Sequence, residues 1–82
     1  MNALIYLQVI STQKIIFQGN VTVARFPGKK SAFSVMKDHA PILSLLEKGF
    51  ITFEGPDGNG KVPVTSGFVQ VRKNEVYACI DQ

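Results

Sequence analysis

The sequence predicts an all-β fold, a small β-sandwich of about eight to ten short, mostly antiparallel strands. Three observations predict it. Apolar residues recur with period two along most of the chain, as they do where a strand turns one face inward. Turn residues and Gly- or Pro-containing loops interrupt these runs at short intervals. Only one segment, 40–48, offers a helical reading, and it would span about two turns, marginal by itself.

The first run, Ala3-Leu4-Ile5-Tyr6-Leu7-Gln8-Val9-Ile10, is apolar at most positions, the pattern of a strand covered on both faces. Lys14-Ile15-Ile16-Phe17 is a short second run, and Gln18-Gly19-Asn20 supplies turn chemistry. From Asn20 to Phe26 the alternation sends Val21, Val23 and Arg25 one way and Thr22, Ala24 and Phe26 the other, until Pro27-Gly28 ends it. Ala32 to Met36 is a short apolar segment. In 40–48, Pro41 suits a first helical turn and Gly49 a stop, but Ile42 to Leu46 is read as a short strand. Phe50 to Glu54 is a further strand, followed by the polar loop Gly55-Pro56-Asp57-Gly58-Asn59-Gly60. Pro63 lies within the next strand, 61–65, so that strand either lies at a sheet edge or starts late. Phe68 to Arg72 and Glu75 to Ile80 are joined by Lys73-Asn74, the spacing of a tight two-residue hairpin.

At 82 residues the chain fits one domain, 1–82, with no internal linker or repeat. A composition 45% hydrophobic and 18% charged excludes a disordered chain. The single cysteine, Cys79, excludes an intrachain disulfide, and one Cys with one distant His excludes a compact zinc site. The net charge of +3 comes from nine Lys and Arg against six Asp and Glu, and the basic residues are scattered. Ala3 to Ile10 is too short for a membrane span, and no positive side chain precedes Lys14, so a soluble chain is expected whose membrane role comes through a partner.

No catalytic constellation emerges. His39 is the one imidazole, and Asp38 beside it diverges if the segment is extended. Cys79 lies between Ala78 and Ile80 in the last strand and reads as a small buried hydrophobe. Ser66-Gly67 lacks the preceding Gly of a nucleophile elbow. The glycines at 55, 58 and 60 lack the Lys-Ser or Lys-Thr pair and the helix of a phosphate loop. Six Phe and two Tyr with a positive charge admit an alternative, a small β-barrel that binds single-stranded nucleic acid. The plainer reading places Phe26, Phe50, Phe53 and Phe68 in the core.

The most specific stretch is His39-Ala40-Pro41-Ile42-Leu43-Ser44-Leu45-Leu46-Glu47-Lys48-Gly49. It resembles the His-Ala-Pro-Leu-Leu-(Ser/Thr)-x-Leu-x-x-Gly segment of the epsilon subunit of rotary ATP synthases. Other landmarks fall in the family's order: Tyr6 to Ser11 resembles its first strand, and Phe17-Gln18-Gly19 its Phe-x-Gly turn. Ser66 to Val71 resembles its Gly-Gly-(Phe/Ile)-x-Glu-Val strand, and Asn74 to Asp81 its closing strand. The likeness covers nearly the whole chain. Departures are Ser31-Ala32-Phe33-Ser34 where the family has a Gly-Glu-x-Gly pattern, Lys37-Asp38 before the histidine, and Ser66 for the first glycine of the pair. They fall partly in loops that the family uses to touch its membrane ring.

The resemblance implies a noncatalytic central-stalk subunit that couples the gamma subunit to the ring of c subunits, without cofactor or metal and without nucleic acid. It implies a peripheral place on the cytoplasmic face of a bacterial inner membrane, held only through the complex. Family members commonly continue as a helical hairpin, and this sequence implies a sandwich-only form that neither inhibits by helix insertion nor binds ATP through that motif. By position in the matched motifs, Ser11, His39, Ala40, Pro41 and Leu43 are the candidates for gamma. Lys29, Lys30, Ser31, Ala32 and Lys37 are the candidates for the ring, where the lysines would meet carboxylates.

Overall fold

The alternating runs become nine strands in a computed structural model that describes residues 3–82. They are β1 (Ile5–Ile10), β2 (Ile15–Val21), β3 (Val23–Phe26), β4 (Phe33–Val35), β5 (Ile42–Leu46), β6 (Gly49–Glu54), β7 (Gly60–Val64), β8 (Ser66–Arg72) and β9 (Glu75–Asp81). One sheet has the order β2-β1-β9-β8-β5 and the other β4-β3-β6-β7. All pairings are antiparallel except that of β1 with β9, which run parallel from Tyr6 opposite Glu75 to Ile10 opposite Cys79.

Side chains on alternate positions of both sheets fill the space between them. Leu7, Val9, Val69 and Val76 come from the five-stranded sheet, and Ala24, Phe26, Ile51 and Phe53 from the four-stranded one; all are buried. Branched aliphatic residues suit such positions because they pack well on a pleated surface. Segment 42–46 is a strand, as expected, and β7 with its Pro63 is an edge that pairs only with β6. Lys73 and Asn74 both have positive φ, 50° and 62°, the geometry of a type I′ turn between Arg72 and Glu75. Asn74 ties three segments together. Its carbonyl accepts the Tyr6 N–H at 2.9 Å, and its carboxamide oxygen accepts the Asp38 N–H at 2.7 Å.

Five details differ from the sequence expectation. First, β1 is fully buried on one face only; Tyr6, Gln8 and Ile10 are half-buried on the outside of the sheet. Second, Gln18-Gly19-Asn20 is not a turn but the continuation of β2. Glycine is needed at 19 because a Cβ there would lie 2.8 Å from Cβ of Asp57, whose carboxylate accepts the Asn20 N–H at 2.7 Å. Third, the alternation between 20 and 26 slips at Thr22, so that Val21, Ala24 and Phe26 are all buried. Thr22 is the corner where the chain passes from one sheet to the other. Its N–H and hydroxyl both donate to the Glu54 carbonyl, at 2.8 and 3.0 Å.

Fourth, Phe50 and Phe68 point outward, 51% and 43% exposed, because Ile51 and Val69 occupy the inward positions beside them. The Lys61 ammonium sits 4.4 Å from the centre of the Phe50 ring. Fifth, Cys79 is only half-buried, on the outer side of β9, since Ala78 and Ile80 take the inward positions.

Two predictions follow from this packing. Ile51→Ala should lower the unfolding free energy by about 2–4 kcal/mol by opening a cavity, whereas Leu43→Ala should change it by about 0.5 kcal/mol or less. Urea denaturation of both variants checks the inside-outside assignment, and a large loss for Leu43→Ala would overturn it. Asn74→Gly keeps the left-handed turn but removes the bonds to Asp38, and should cost about 1 kcal/mol. Asn74→Ala adds left-handed strain and should cost about 1–2 kcal/mol more; equal costs would show that the turn geometry contributes nothing.

Candidate partner-binding surface

The outer face of the five-stranded sheet carries the feature most suited to binding. Ile15 stands opposite Ile10, Ile10 beside Cys79, Cys79 opposite Phe68, and Phe68 opposite Leu45. One row thus runs across all five strands with only apolar side chains and a thiol. Ile15 is 55% exposed and Leu45 62%. The next row is Gln18, Gln8, Tyr77, Gln70 and Leu43, with Leu43 exposed by 72%. Neither row contains a formal charge. Charged side chains begin at the margins, with Arg72 opposite Glu75 at one end and Asp81 at the other.

Polar groups within the face are engaged with one another. The Gln8 amide donates to the Gln18 carboxamide oxygen at 3.3 Å. The Tyr77 hydroxyl donates to Glu75 at 3.4 Å, and the Tyr6 and Tyr77 rings lie 6.0 Å apart. Desolvation, reinforced by the Glu75 carboxylate, raises the Tyr77 phenol above its ordinary value. It is therefore neutral at physiological pH. The other sheet contrasts with this. Its outer face aligns Ser34, Arg25, Thr52 and Lys61. Arg25 also pairs with Glu54 at 3.0 Å, an exposed contact worth about 0–1 kcal/mol.

The structure divides the first set of sequence candidates. Ser11 follows β1 at the end of the sheet where Ile10, Cys79, Phe68 and Leu45 stand level. Its hydroxyl oxygen accepts the N–H groups of Gln13 and Lys14, both at 3.3 Å, and so fixes the turn into β2. It also lines a shallow cleft of about 320 Å³ with Phe68 and Cys79. His39, Ala40 and Pro41 precede Ile42, which pairs with Val71 near the opposite end. Leu43 stands on the outer face itself. The five residues therefore form no single cluster. Segment 36–39 is a turn, not extended: Asp38 has φ 66°, and the His39 N–H donates to the Met36 carbonyl at 3.2 Å. His39 Nδ1 donates to the Ala40 carbonyl at 2.7 Å, while the Asp38 backbone and carboxylate face Asn74.

The second set divides as well. Lys29, Lys30, Ser31 and Ala32 are exposed in the loop between β3 and β4. That loop is fastened along the edge of β5. The Lys29 N–H donates to the Leu45 carbonyl at 2.8 Å, the Glu47 N–H to the Pro27 carbonyl at 2.9 Å, and Gly28 bridges Leu46. Between the loop and β5 lies a cleft of about 620 Å³, with Lys29 and Lys30 on one wall and Leu43 and Leu45 on the other. Lys37 is apart from these, in the turn that meets Asn74.

Sequence reasoning missed Ile10, Ile15, Leu45 and Phe68. A signal for Leu45 was available, because it shares strand parity with Leu43. Phe68 was obscured by its place in an apolar run, although Val69 and Val71 mark the opposite parity as the inward one. Among the described residues no three His, Cys, Asp or Glu side chains gather as a metal site would require.

Comparison with known proteins converges on one family. The model of the ATP synthase Delta/Epsilon chain β-sandwich domain matches residues 4–82. The ATP synthase epsilon chain of Nitratiruptor sp. is 37% identical over 92% of this chain and 59% of that protein. The epsilon chain of Sulfurovum sp. is 32% identical over 95% of this chain and 62% of that protein. The chain thus spans about 60% of the length of these relatives. Among solved structures, a chain of the Euglena gracilis mitochondrial ATP synthase shares the fold with a TM-score of 0.88 at 18% identity, over 100% of this chain and 53% of that one. A chain of the Tetrahymena thermophila mitochondrial ATP synthase central stalk and c-ring does so at 0.79 and 13%, over 94% of this chain and 63% of that one. With nine strands in two sheets and a family match over 4–82, the chain belongs to the ATP synthase delta/epsilon β-sandwich family.

Proposed function

We propose that this chain serves as a noncatalytic central-stalk subunit of a proton-translocating ATP synthase, coupling the gamma subunit to the c-ring. The observation that carries the reading is the uncharged, largely apolar row across five strands. Stable interfaces are depleted of charge at their centre and resemble a core cut in half. Gamma would cover Leu43, Leu45, Phe68 and Ile10, with Ser11 at one margin and His39, Ala40 and Pro41 at the other. The lysine loop would meet the c-ring. Lys29 and Lys30 present two ammonium groups on a backbone pinned to β5, and Ser31 and Ala32 complete its tip. Lys37 would reach the ring from the other end of β4.

The mechanics suit the role. Torque passes between two partners only through a body that deforms little, and a sandwich packed at interior density resists shear. The ring-facing loop is hydrogen-bonded to β5, the strand that also presents Leu43 and Leu45 to gamma. Both contacts would thus share one rigid element. No acid, base or nucleophile takes part in such a task. The complex would hold the chain on the cytoplasmic face of a bacterial inner membrane.

Co-expression with the cognate gamma subunit tests this. A one-to-one complex is expected. Leu45→Glu or Phe68→Glu should weaken it by about tenfold or more, about 1.4 kcal/mol or above, while Arg25→Ala on the other sheet should leave it intact. Absence of any complex with the unaltered chain would refute the role, and a complex indifferent to both glutamates would refute the interface. For the ring, Lys29→Glu with Lys30→Glu should reduce ATP-driven proton pumping in reconstituted vesicles while gamma binding persists. Pumping equal to that of the unaltered chain would remove the lysines from the coupling path.

A further inference from the structure

The loop between β6 and β7 contains a chemical liability that the packing of the core enforces. The chain has four asparagines, at 2, 20, 59 and 74, and only Asn59 precedes a glycine. We infer that Asn59 is a site of spontaneous modification, converting to aspartate and isoaspartate through a cyclic imide formed with the Gly60 backbone nitrogen. A following residue without Cβ hinders attack by its own nitrogen least. Because Gly60 is the first residue of β7, freeing that nitrogen requires only the terminal β6–β7 pair, with Phe53, to open. Position 60 has no alternative, because a Cβ there would lie 2.4 Å from the Phe53 ring. Phe53 in turn is buried and packs on Phe17, with ring centres 4.2 Å apart.

Asn59 is exposed, and its Oδ1 accepts the Gly55 N–H at 3.1 Å. That hydrogen bond polarises the side-chain carbonyl and stands where negative charge develops on the oxygen during attack. In the first step, hydroxide removes the Gly60 amide proton, and the nitrogen bonds to Cγ of Asn59. The tetrahedral species then expels the side-chain nitrogen, which takes a proton from water and leaves as ammonia. Water opens the imide either at Cγ, which breaks the Cγ–N bond and gives aspartate, or at the main-chain carbonyl carbon of residue 59, which breaks the C–N bond and gives isoaspartate. The sum is asparagine plus water to acid plus ammonia, with no change of oxidation state.

The same loop holds a second residue-glycine step, Asp57-Gly58. Asp57 is protected. Its carboxylate accepts the Asn20 N–H at 2.7 Å, and a carboxylate is a poorer electrophile than a carboxamide. Conversion of Asn59 lowers the net charge by one from +3. The isoaspartyl form also routes the main chain through Cβ. It lengthens the loop by one atom and withdraws the acceptor from the Gly55 N–H, loosening the segment that holds Asp57 on β2.

The test is incubation of the full folded chain in mildly alkaline buffer, followed by digestion after lysine and arginine. The fragment spanning 49–61 contains Asn59 as its one asparagine and no glutamine. A gain of about 1 Da there therefore reports this residue alone. Conversion is expected within about tenfold of the rate of a synthetic 49–61 peptide, as for a site that needs no global unfolding. The rate should rise with pH, and the product should accept a methyl group from an isoaspartate-specific methyltransferase. Asn59→Gln should abolish the mass gain in a chain that still folds by circular dichroism. A folded chain that stays unmodified after the peptide has fully converted, or that converts only in urea, would overturn the inference.

Discussion

The apolar outer row exists because the inward positions of the five-stranded sheet are already committed. Side chains alternate along a strand, so placing Val9, Ala78 and Val69 against the second sheet obliges their neighbours Ile10, Cys79 and Phe68 to face out. The register aligns these outward residues into one row and does so through every pairing in the sheet. A slip of one residue at any of them would turn apolar groups inward and core groups outward. Core packing and surface chemistry are therefore two results of the same parity.

The edges of the sandwich are managed in different ways, and this shapes what each can touch. β7 carries Pro63, which cannot donate to an added strand. β5 has its free side engaged by the segment 27–29, whose backbone meets that of Leu45, Leu46 and Glu47. That contact leaves the outer side chains of β5 open while closing its backbone. Along that stretch β5 therefore offers the side chains of Leu43 and Leu45, beside the ammonium groups of the adjoining loop, and no free backbone for strand addition.

Much of the fold was legible because the strands obey period two and the turns use residues with a mechanism. Lys73-Asn74 and Pro63 behave as their chemistry requires. The failures have physical causes. Gly19 was misread because glycine serves there to admit Asp57, a contact 38 residues away in sequence. Thr22 was misread because a strand that changes sheets resets its alternation, and periodicity within a window does not contain that corner. Phe50 and Phe68 were placed inside because size and hydrophobicity suggest burial, while parity decides it. For the candidate surface, the motif around His39 located one margin and Leu43. The centre of the face is assembled from β1, β8 and β9, and only the pairing of distant strands brings Ile10, Cys79 and Phe68 together.

The parallel union of β1 with β9 joins two segments that are far apart in the sequence, Tyr6 with Glu75 and Ile10 with Cys79. During synthesis β1 and β2 can pair as a hairpin, but the central neighbour of β1 does not exist until residues 75–79 have been made. The apolar inner side of that hairpin must wait until those residues have emerged. A two-stranded hairpin is marginal in water by itself. Folding of the five-stranded sheet is thus governed by its longest-range contact, which favours slow closure and a late, cooperative gain of structure. β1 emerges well before the strand that secures it.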